Sequence, residues 1–133
     1  MAVKAEGQNP IDRLMERASR ALVKMQYFEA ERFCKDALRR AYEAADFERL
    51  ARICMPLQEA RRQKRQLAVD SGLVMVFSDP RQLRGVGHDI MPGCYLFQPP
   101  LLGVDARNFR DEADSLNVPV FVLEYLLGKY CAS

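Results

Sequence analysis

The residues best suited to acid–base or metal chemistry lie in one glycine-rich stretch. The single histidine of the chain, His88, is followed by Asp89 and preceded by Asp79. Histidine titrates near neutral pH and a neighbouring carboxylate orients its ring, so His88 is a candidate general base or metal ligand. A metal site normally requires three or four ligands at recognisable spacing, and only His88 and Cys94 stand out. We therefore expect no metal and no cofactor. The alternative to a catalytic or metal-binding role is that His88 is simply a solvent-exposed residue of a loop.

The same stretch offers two weaker signs of ligand binding. Gly85-Val86-Gly87 is similar to a phosphate-binding turn, but a third glycine and an immediately following helix are missing. Sheets of strand–helix–strand units bind ligands at the carboxyl ends of their strands, where ordinary turn chemistry also places polar residues. The polar residues expected at those ends are Ser78, Asp79, Gln98 and Glu124. Asp79, His88 and Asp89 are therefore the candidate ligand-binding residues.

The densest group of basic side chains indicates a different kind of partner. It comprises Arg49, Arg52, Arg61, Arg62, Lys64 and Arg65. On one helix, such a group neutralises nucleic-acid phosphates or contacts an acidic protein surface. The one aromatic residue of that helix, Phe47, lies far upstream, so a stacking platform for single strands is missing. Nucleic-acid binding and a solvated helix face both stay open.

Composition is that of an ordinary globular protein. Of 133 residues, 49% are hydrophobic and 29% are charged, which excludes wholesale disorder. No apolar run reaches the roughly 18 residues of a membrane helix, and the N-terminus lacks the apolar core of a signal peptide. Four scattered cysteines without a Cys-x-x-Cys pair predict reduced thiols. We expect a cytoplasmic protein that does not contact a membrane.

Charge and glycine content change near residue 71. Residues 1–70 carry 15 basic and 11 acidic side chains, whereas residues 71–133 carry 5 and 7. Six of the seven glycines and five of the seven prolines follow residue 70. The shift predicts a flexible tail over residues 1–8, a helical segment over 9–70 and a small α/β module over 71–133.

Apolar residues recur every three or four positions in the helical segment, which predicts three helices. A first helix begins at Asn9-Pro10 and buries Ile11, Leu14, Met15, Ala18, Leu22 and Met25. The central helix buries Ala30, Phe33, Cys34, Ala37, Leu38, Ala41 and Ala45. Asp46 is expected to cap a third helix, which Pro56 kinks near residues 52–55 and which continues beyond the kink. Its apolar positions are Phe47, Leu50, Ile53, Cys54, Leu57, Ala60 and Leu67.

The first two helices resemble a tetratricopeptide repeat, a helix–turn–helix unit. The residues that carry the resemblance, within residues 11–44, are Leu14, Ala18, Tyr27, Glu29, Ala30, Ala37 and Leu38. Arg17 replaces the usual leucine, Ala21 replaces an aromatic residue, and Tyr42 lies near the usual proline. The resemblance implies a helical hairpin that binds other protein surfaces, and a generic three-helix bundle is the alternative. One repeat does not bury both of its faces, so the rest of the chain or a second copy must cover them.

Three short apolar runs in the second half predict strands over residues 73–77, 94–97 and 118–123. They lack clean alternation, which is typical of strands buried on both faces. Between the last two runs, Asp105 is expected to cap a helix that ends at Asn117 and buries Ala106, Phe109, Ala113 and Leu116. Strand, helix and strand in this order predict a parallel βαβ unit. Residues 126–133 fit a strand, a short helix or a frayed end.

The sequence as a whole therefore predicts an α/β protein, α+β overall, with a tetratricopeptide-like three-helix segment followed by about three mostly parallel strands. We expect a non-enzymatic protein–protein interaction or assembly subunit that binds another protein or a second copy. The candidate contact residues on the exposed side of the hairpin are Arg17, Arg20, Lys24, Arg32, Arg39 and Arg62. Nucleic-acid binding and a ligand or metal domain around His88 are the alternatives.

Overall fold

Three helices precede a small mixed sheet in the computed structural model, which describes residues 8–84, 89–126 and 128–132. The described helices are α1 (Pro10–Val23), α2 (Tyr27–Glu43), α3 (Phe47–Asp70), α4 (Pro80–Arg84) and α5 (Gly103–Ser115). The described strands are β1 (Val74–Phe77), β2 (Gly93–Phe97), β3 (Val120–Leu126) and β4 (Lys129–Ala132). This order confirms the predicted α+β class. The expected tail at residues 1–8 lies outside the described residues except for Gln8.

The chain forms two compact units, residues 1–63 and residues 64–133. The division falls within α3, so the last turns of this helix belong to the second unit. Pro56 lies inside α3, and the helix continues through it as one element, as the resumed apolar pattern predicted.

Short connections reverse the chain between successive helices of the first unit. The side chain of Asn9 accepts a hydrogen bond from the Ile11 N–H at 2.8 Å, which confirms the predicted start of α1. After α1, Met25 adopts a left-handed conformation (φ 59°), and the next amide, Gln26, donates to the Ala21 carbonyl at 2.8 Å. After α2, Ala45 adopts the same left-handed conformation (φ 53°), and the next amide, Asp46, donates to the Ala41 carbonyl at 2.8 Å. Both ends are Schellman caps, which satisfy the last carbonyls and turn the chain sharply.

Alanine side chains let the helices of the first unit approach closely. One packed cluster combines Ala21 of α1, Ala30 of α2 and Ala60 of α3, a single alanine from each helix. A larger cluster gathers the buried residues Ile11, Ala18, Cys34, Ala37, Ala41, Ile53 and Leu57. The predicted core is therefore confirmed in its centre and wrong at its margins. The residues predicted to be buried that the structure exposes are Met25, Ala45, Phe47, Cys54 and Leu67.

The sheet has the order β1-β2-β3-β4 in the described residues. β2 pairs in parallel with both β1 and β3, and α5 connects β2 to β3, which confirms the predicted βαβ unit. The register places Phe77 beside Phe97 and Tyr95 beside Val122. The chain end, which the sequence left open, adds the antiparallel strand β4.

An aromatic cluster between α5 and the sheet forms the core of the second unit. The Phe109 ring of α5 lies 4.7 Å from the Tyr95 ring and 5.5 to 5.6 Å from the rings of Phe97 and Phe77. All four residues are almost fully buried. The prediction that the strands are buried on both faces is wrong for β1, where Val74, Met75 and Val76 are exposed. An edge strand and a central strand have the same apolar composition, so the sequence does not distinguish them.

The predicted cap of α5 is three residues too late, because the observed N-cap is Leu102. The helix begins at Gly103, and Asp105 lies in its first turn. Its carboxylate accepts a hydrogen bond from the Leu102 N–H at 2.8 Å. At the other end Asn117 adopts a left-handed conformation (φ 56°), which confirms the predicted end.

Candidate protein-interaction surface

α3 has apolar residues on two separate sides. Ile53, Leu57 and Ala60 face the core of the first unit. On a helix of 100° per residue, Phe47, Ala51, Cys54 and Met55 lie roughly 100–200° around the axis from Ile53, and all four are exposed. We call these four residues the outer stripe. Phe47 is 72% exposed and Met55 is 75% exposed, an unusual state for side chains of this size.

An arginine of α3 holds the start of this helix against α1. Two guanidinium nitrogens of Arg49 donate to the two carboxylate oxygens of Asp12, each at 2.8 Å. A third nitrogen donates to Asp46 at 2.7 Å, and the Asp46 carboxylate also accepts the Arg49 N–H at 3.1 Å, which confirms Asp46 as the cap. The hydrogen bonds from Arg49 lower the pKa of Asp12 and of Asp46. The outer stripe is thus held by charged contacts at its N-terminal end.

A buried carboxylate joins α2 to α3 near the middle of the helix. Glu31 is one of the few buried charged side chains that the structure describes, and Arg61 Nε donates to its carboxylate at 2.9 Å. A buried carboxylate requires such a partner because its desolvation is costly. Arg61 therefore has a structural role in positioning α3.

The predicted partner-binding cations are dispersed over the first unit. Arg20 pairs with Glu16 at 3.4 Å within α1, and Arg39 pairs with Asp36 at 2.6 Å within α2. Arg62 pairs with Glu59 at 2.8 Å, and the guanidinium of Arg17 lies 5.9 Å from the centre of the Phe33 ring. Lys24 and Arg32 are exposed. These ion pairs reduce the charge that the hairpin presents, so the apolar outer stripe is its more distinctive feature.

Acidic side chains also engage the predicted nucleic-acid-binding residues. In addition to the pairs of Arg49, Arg61 and Arg62, Arg52 pairs with Glu48 at 3.3 Å and Lys64 pairs with Asp114. Arg65 is exposed. Arg62 lowers the pKa of Glu59 to about 2, so this carboxylate keeps its negative charge beside the arginine at neutral pH. Five of the six residues thus form ion pairs within the chain, and this arrangement does not favour phosphate binding.

The candidate ligand site around the histidine lies mostly beyond what is described. His88 and the Gly85-Val86-Gly87 turn fall outside the described residues. Asp79 pairs with Arg81 at 2.7 Å, which lowers the pKa of its carboxyl, and Asp89 is exposed. Within residues 8–84, 89–126 and 128–132, no three His, Cys, Asp or Glu side chains come together as a metal-binding group.

The buried thiol of the first unit is unsuited to nucleophilic chemistry. Cys34 is 1% exposed, and burial raises its pKa to about 11. The thiol therefore stays protonated at neutral pH. Cys54, in the outer stripe, is exposed and donates to the Leu50 carbonyl at 3.3 Å.

Phe47 and Met55 were missed as surface residues, although the sequence contains a signal for them. Phe47, Ala51 and Met55 follow one another at intervals of four, separately from the series of Ile53, Leu57 and Ala60. Two apolar series on one helix indicate two faces to be covered. The sequence prediction placed Phe47 on the buried face with the second series and assigned neither Ala51 nor Met55 to a face.

Two further observations concern membrane-spanning helices and similarity to known proteins. None of the helices in the described residues combines the length and the hydropathy that a membrane crossing demands. No family model matches the sequence, and no curated protein or solved structure matches it either.

Proposed function

We propose that this protein is a non-enzymatic interaction or assembly subunit whose first unit binds another protein through the outer stripe of α3. The observation that carries the proposal is the pair of apolar sides on α3. One side is buried within its own unit, and the other leaves Phe47 and Met55 exposed to water. Large apolar side chains grouped on one surface are typical of protein contacts.

The resemblance to a tetratricopeptide repeat supports the same function. In stacked helical repeats, each helical pair covers the exposed side of its neighbour. The first unit provides one such pair plus α3, so its outer stripe occupies the position that a further helix would cover. Tyr42, close in sequence to the α2–α3 connection, is a further large side chain that the structure exposes.

The test is to use the purified protein to pull down a companion protein from an extract of the natural source. Variants in the outer stripe are compared with a variant elsewhere on the first unit. The variant Phe47→Asp/Met55→Asp places two charges in the outer stripe. The matched control Val23→Asp changes another exposed apolar residue of the same unit, at the opposite end of the hairpin. Circular dichroism establishes that each variant is folded.

We expect wild type and Val23→Asp to recover the same companion, and the double variant to recover at least about tenfold less of it. Equal recovery by the folded double variant would exclude the outer stripe as the contact surface. If wild type is monomeric at high concentration and recovers no companion, the proposed function is wrong.

A further inference from the structure

One face of the sheet carries only uncharged side chains among the residues that the structure describes. Side chains alternate between the two faces along each strand, and paired residues share a face. The face with Phe77, Tyr95 and Phe97 packs against α5. The opposite face, which we call the open face, includes Val74, Val76, Leu96, Leu123, Tyr125 and Tyr130.

The open face is accessible over most of its width. Val74 is 62% exposed and Val76 is 44% exposed at one edge, and Tyr130 is 40% exposed at the other. Leu96 and Leu123 on the central strands are half-buried. In the described part of the chain, no packed cluster includes a residue of this face. An apolar sheet face of this kind normally packs against another layer.

The lack of charge on the open face allows it to pack against the same face of a second copy. In a two-fold interface the residues near the axis face their own copies, so a charged residue there meets a like charge. Every described side chain on the open face is uncharged, whereas Glu124 and Lys129 belong to the opposite face of β3 and β4. Two open faces therefore meet without like-charge repulsion.

The available area fits a weak dimer. The face spans only four short strands and is half-buried at its centre, so two copies would bury an area near the lower limit for a specific interface, about 1,200 Å² in total. The ring pair Tyr125–Tyr130, with centres 5.3 Å apart, supplies aromatic side chains of the kind enriched in such interfaces.

We propose that the open face packs against the open face of a second copy about a two-fold axis. This dimer uses residues of the second unit only, so it does not depend on the outer stripe of α3. Interfaces near the lower size limit are typical of weak or transient complexes, so we expect a dissociation constant on the order of micromolar.

The test is sedimentation equilibrium of the full chain from low to high micromolar concentration. Val76→Lys and Tyr130→Lys each place a charge on the open face, at opposite edges of the sheet. Met75→Lys is the matched control, because Met75 is exposed on the same strand but belongs to the opposite face. Phe47→Asp/Met55→Asp reports on the outer stripe, and circular dichroism checks the fold of each variant.

We expect a monomer–dimer equilibrium that Val76→Lys and Tyr130→Lys each weaken at least about tenfold and that Met75→Lys leaves unchanged. Equal weakening by Val76→Lys and Met75→Lys, with no effect of Tyr130→Lys, would instead show pairing through the β1 edge and overturn the proposal. A wild type that stays monomeric throughout would overturn it as well. Loss of the dimer in the α3 variant alone would assign self-association to the first unit.

Discussion

Gly93 provides the sharpest test of the sheet register. This residue begins β2 between Leu73 and Val120, and a Cβ built on it would lie 2.9 Å from Leu73 Cβ and 3.0 Å from the Leu73 carbonyl oxygen. Ordinary carbon contacts lie at about 3.5–4.0 Å, so Gly93→Ala must displace Leu73 by about half an ångström. The Leu73 carbonyl accepts the Cys94 N–H at 2.9 Å, so this displacement strains the first hydrogen bond between β1 and β2.

The expected cost follows from these contacts. Overpacking typically costs about 1–3 kcal/mol, and the upper part of this range applies here because the obstructing Leu73 Cβ and carbonyl oxygen move only with the backbone. Replacing glycine by alanine also reduces the entropy of the unfolded chain, which returns about 0.5–1 kcal/mol. The net destabilisation of the second unit should be about 2 kcal/mol. Amide exchange in β1 and β2 should then accelerate by more than about tenfold.

Hydrogen exchange read by mass spectrometry measures this effect in peptides from β1 and β2, and peptides from α1 and α2 serve as an internal reference. The matched control is Gly103→Ala. Its Cβ would lie 2.6 Å from a carboxylate oxygen of Glu124, which is the end of a flexible side chain and rotates away. We expect the control to stay within about 0.5 kcal/mol of wild type. If both variants exchange alike, β1 does not lie beside Gly93 in this register, and the open face is wrongly assembled.

Three further predictions concern the first unit. Ala45→Gly should stabilise the protein by about 1 kcal/mol in urea unfolding, because glycine adopts the left-handed conformation of this helix end without strain. Arg49→Gln should destabilise the protein at pH 7 and do so less at pH 3, as measured by the urea midpoint at each pH. The folded pKa of Asp12 is lowered, so its stabilisation is present above pH 4 and is lost as the pH falls. Cys34 should resist alkylation at pH 8 in the native protein, whereas Cys54 should react within minutes.

Each of these predictions has an internal control. Ala44, one residue earlier, is in a right-handed conformation, so Ala44→Gly should not stabilise. A difference between wild type and Arg49→Gln that is equal at pH 7 and pH 3 would contradict the ion pair with Asp12. Denaturant should make Cys34 as reactive as Cys54, and alkylation of Cys34 in the native state would show that it is not buried.

The helix ends and the strand pairing could be predicted from the sequence because their causes are local. Asn9 and Asp46 cap helices through amides two or three residues away. The helix between β2 and β3 requires a crossover, which makes the two strands parallel. Asp105 was placed at the wrong position because a carboxylate in the first turn and a capping carboxylate have the same sequence signature.

The candidate surfaces were harder to predict from the sequence. The cations expected to bind a partner are conspicuous in the sequence, and the acidic residues three positions before Arg39 and Arg62 already indicate their ion pairs, but the sequence prediction did not use this spacing. Phe47 and Val76 have the composition of core residues, and their exposure depends on which elements pack beside them.

The sequence by itself determined the succession of helices and strands, because capping, helical periodicity and crossover connections act over a few residues. Only the tertiary structure decided which apolar side of α3 is buried and which face of the sheet α5 covers. Burial is a property of long-range neighbours: Leu57 meets the α1–α2 hairpin while Met55, two residues away, meets water. The surfaces proposed to bind partners are the apolar sides left without such neighbours in the described residues.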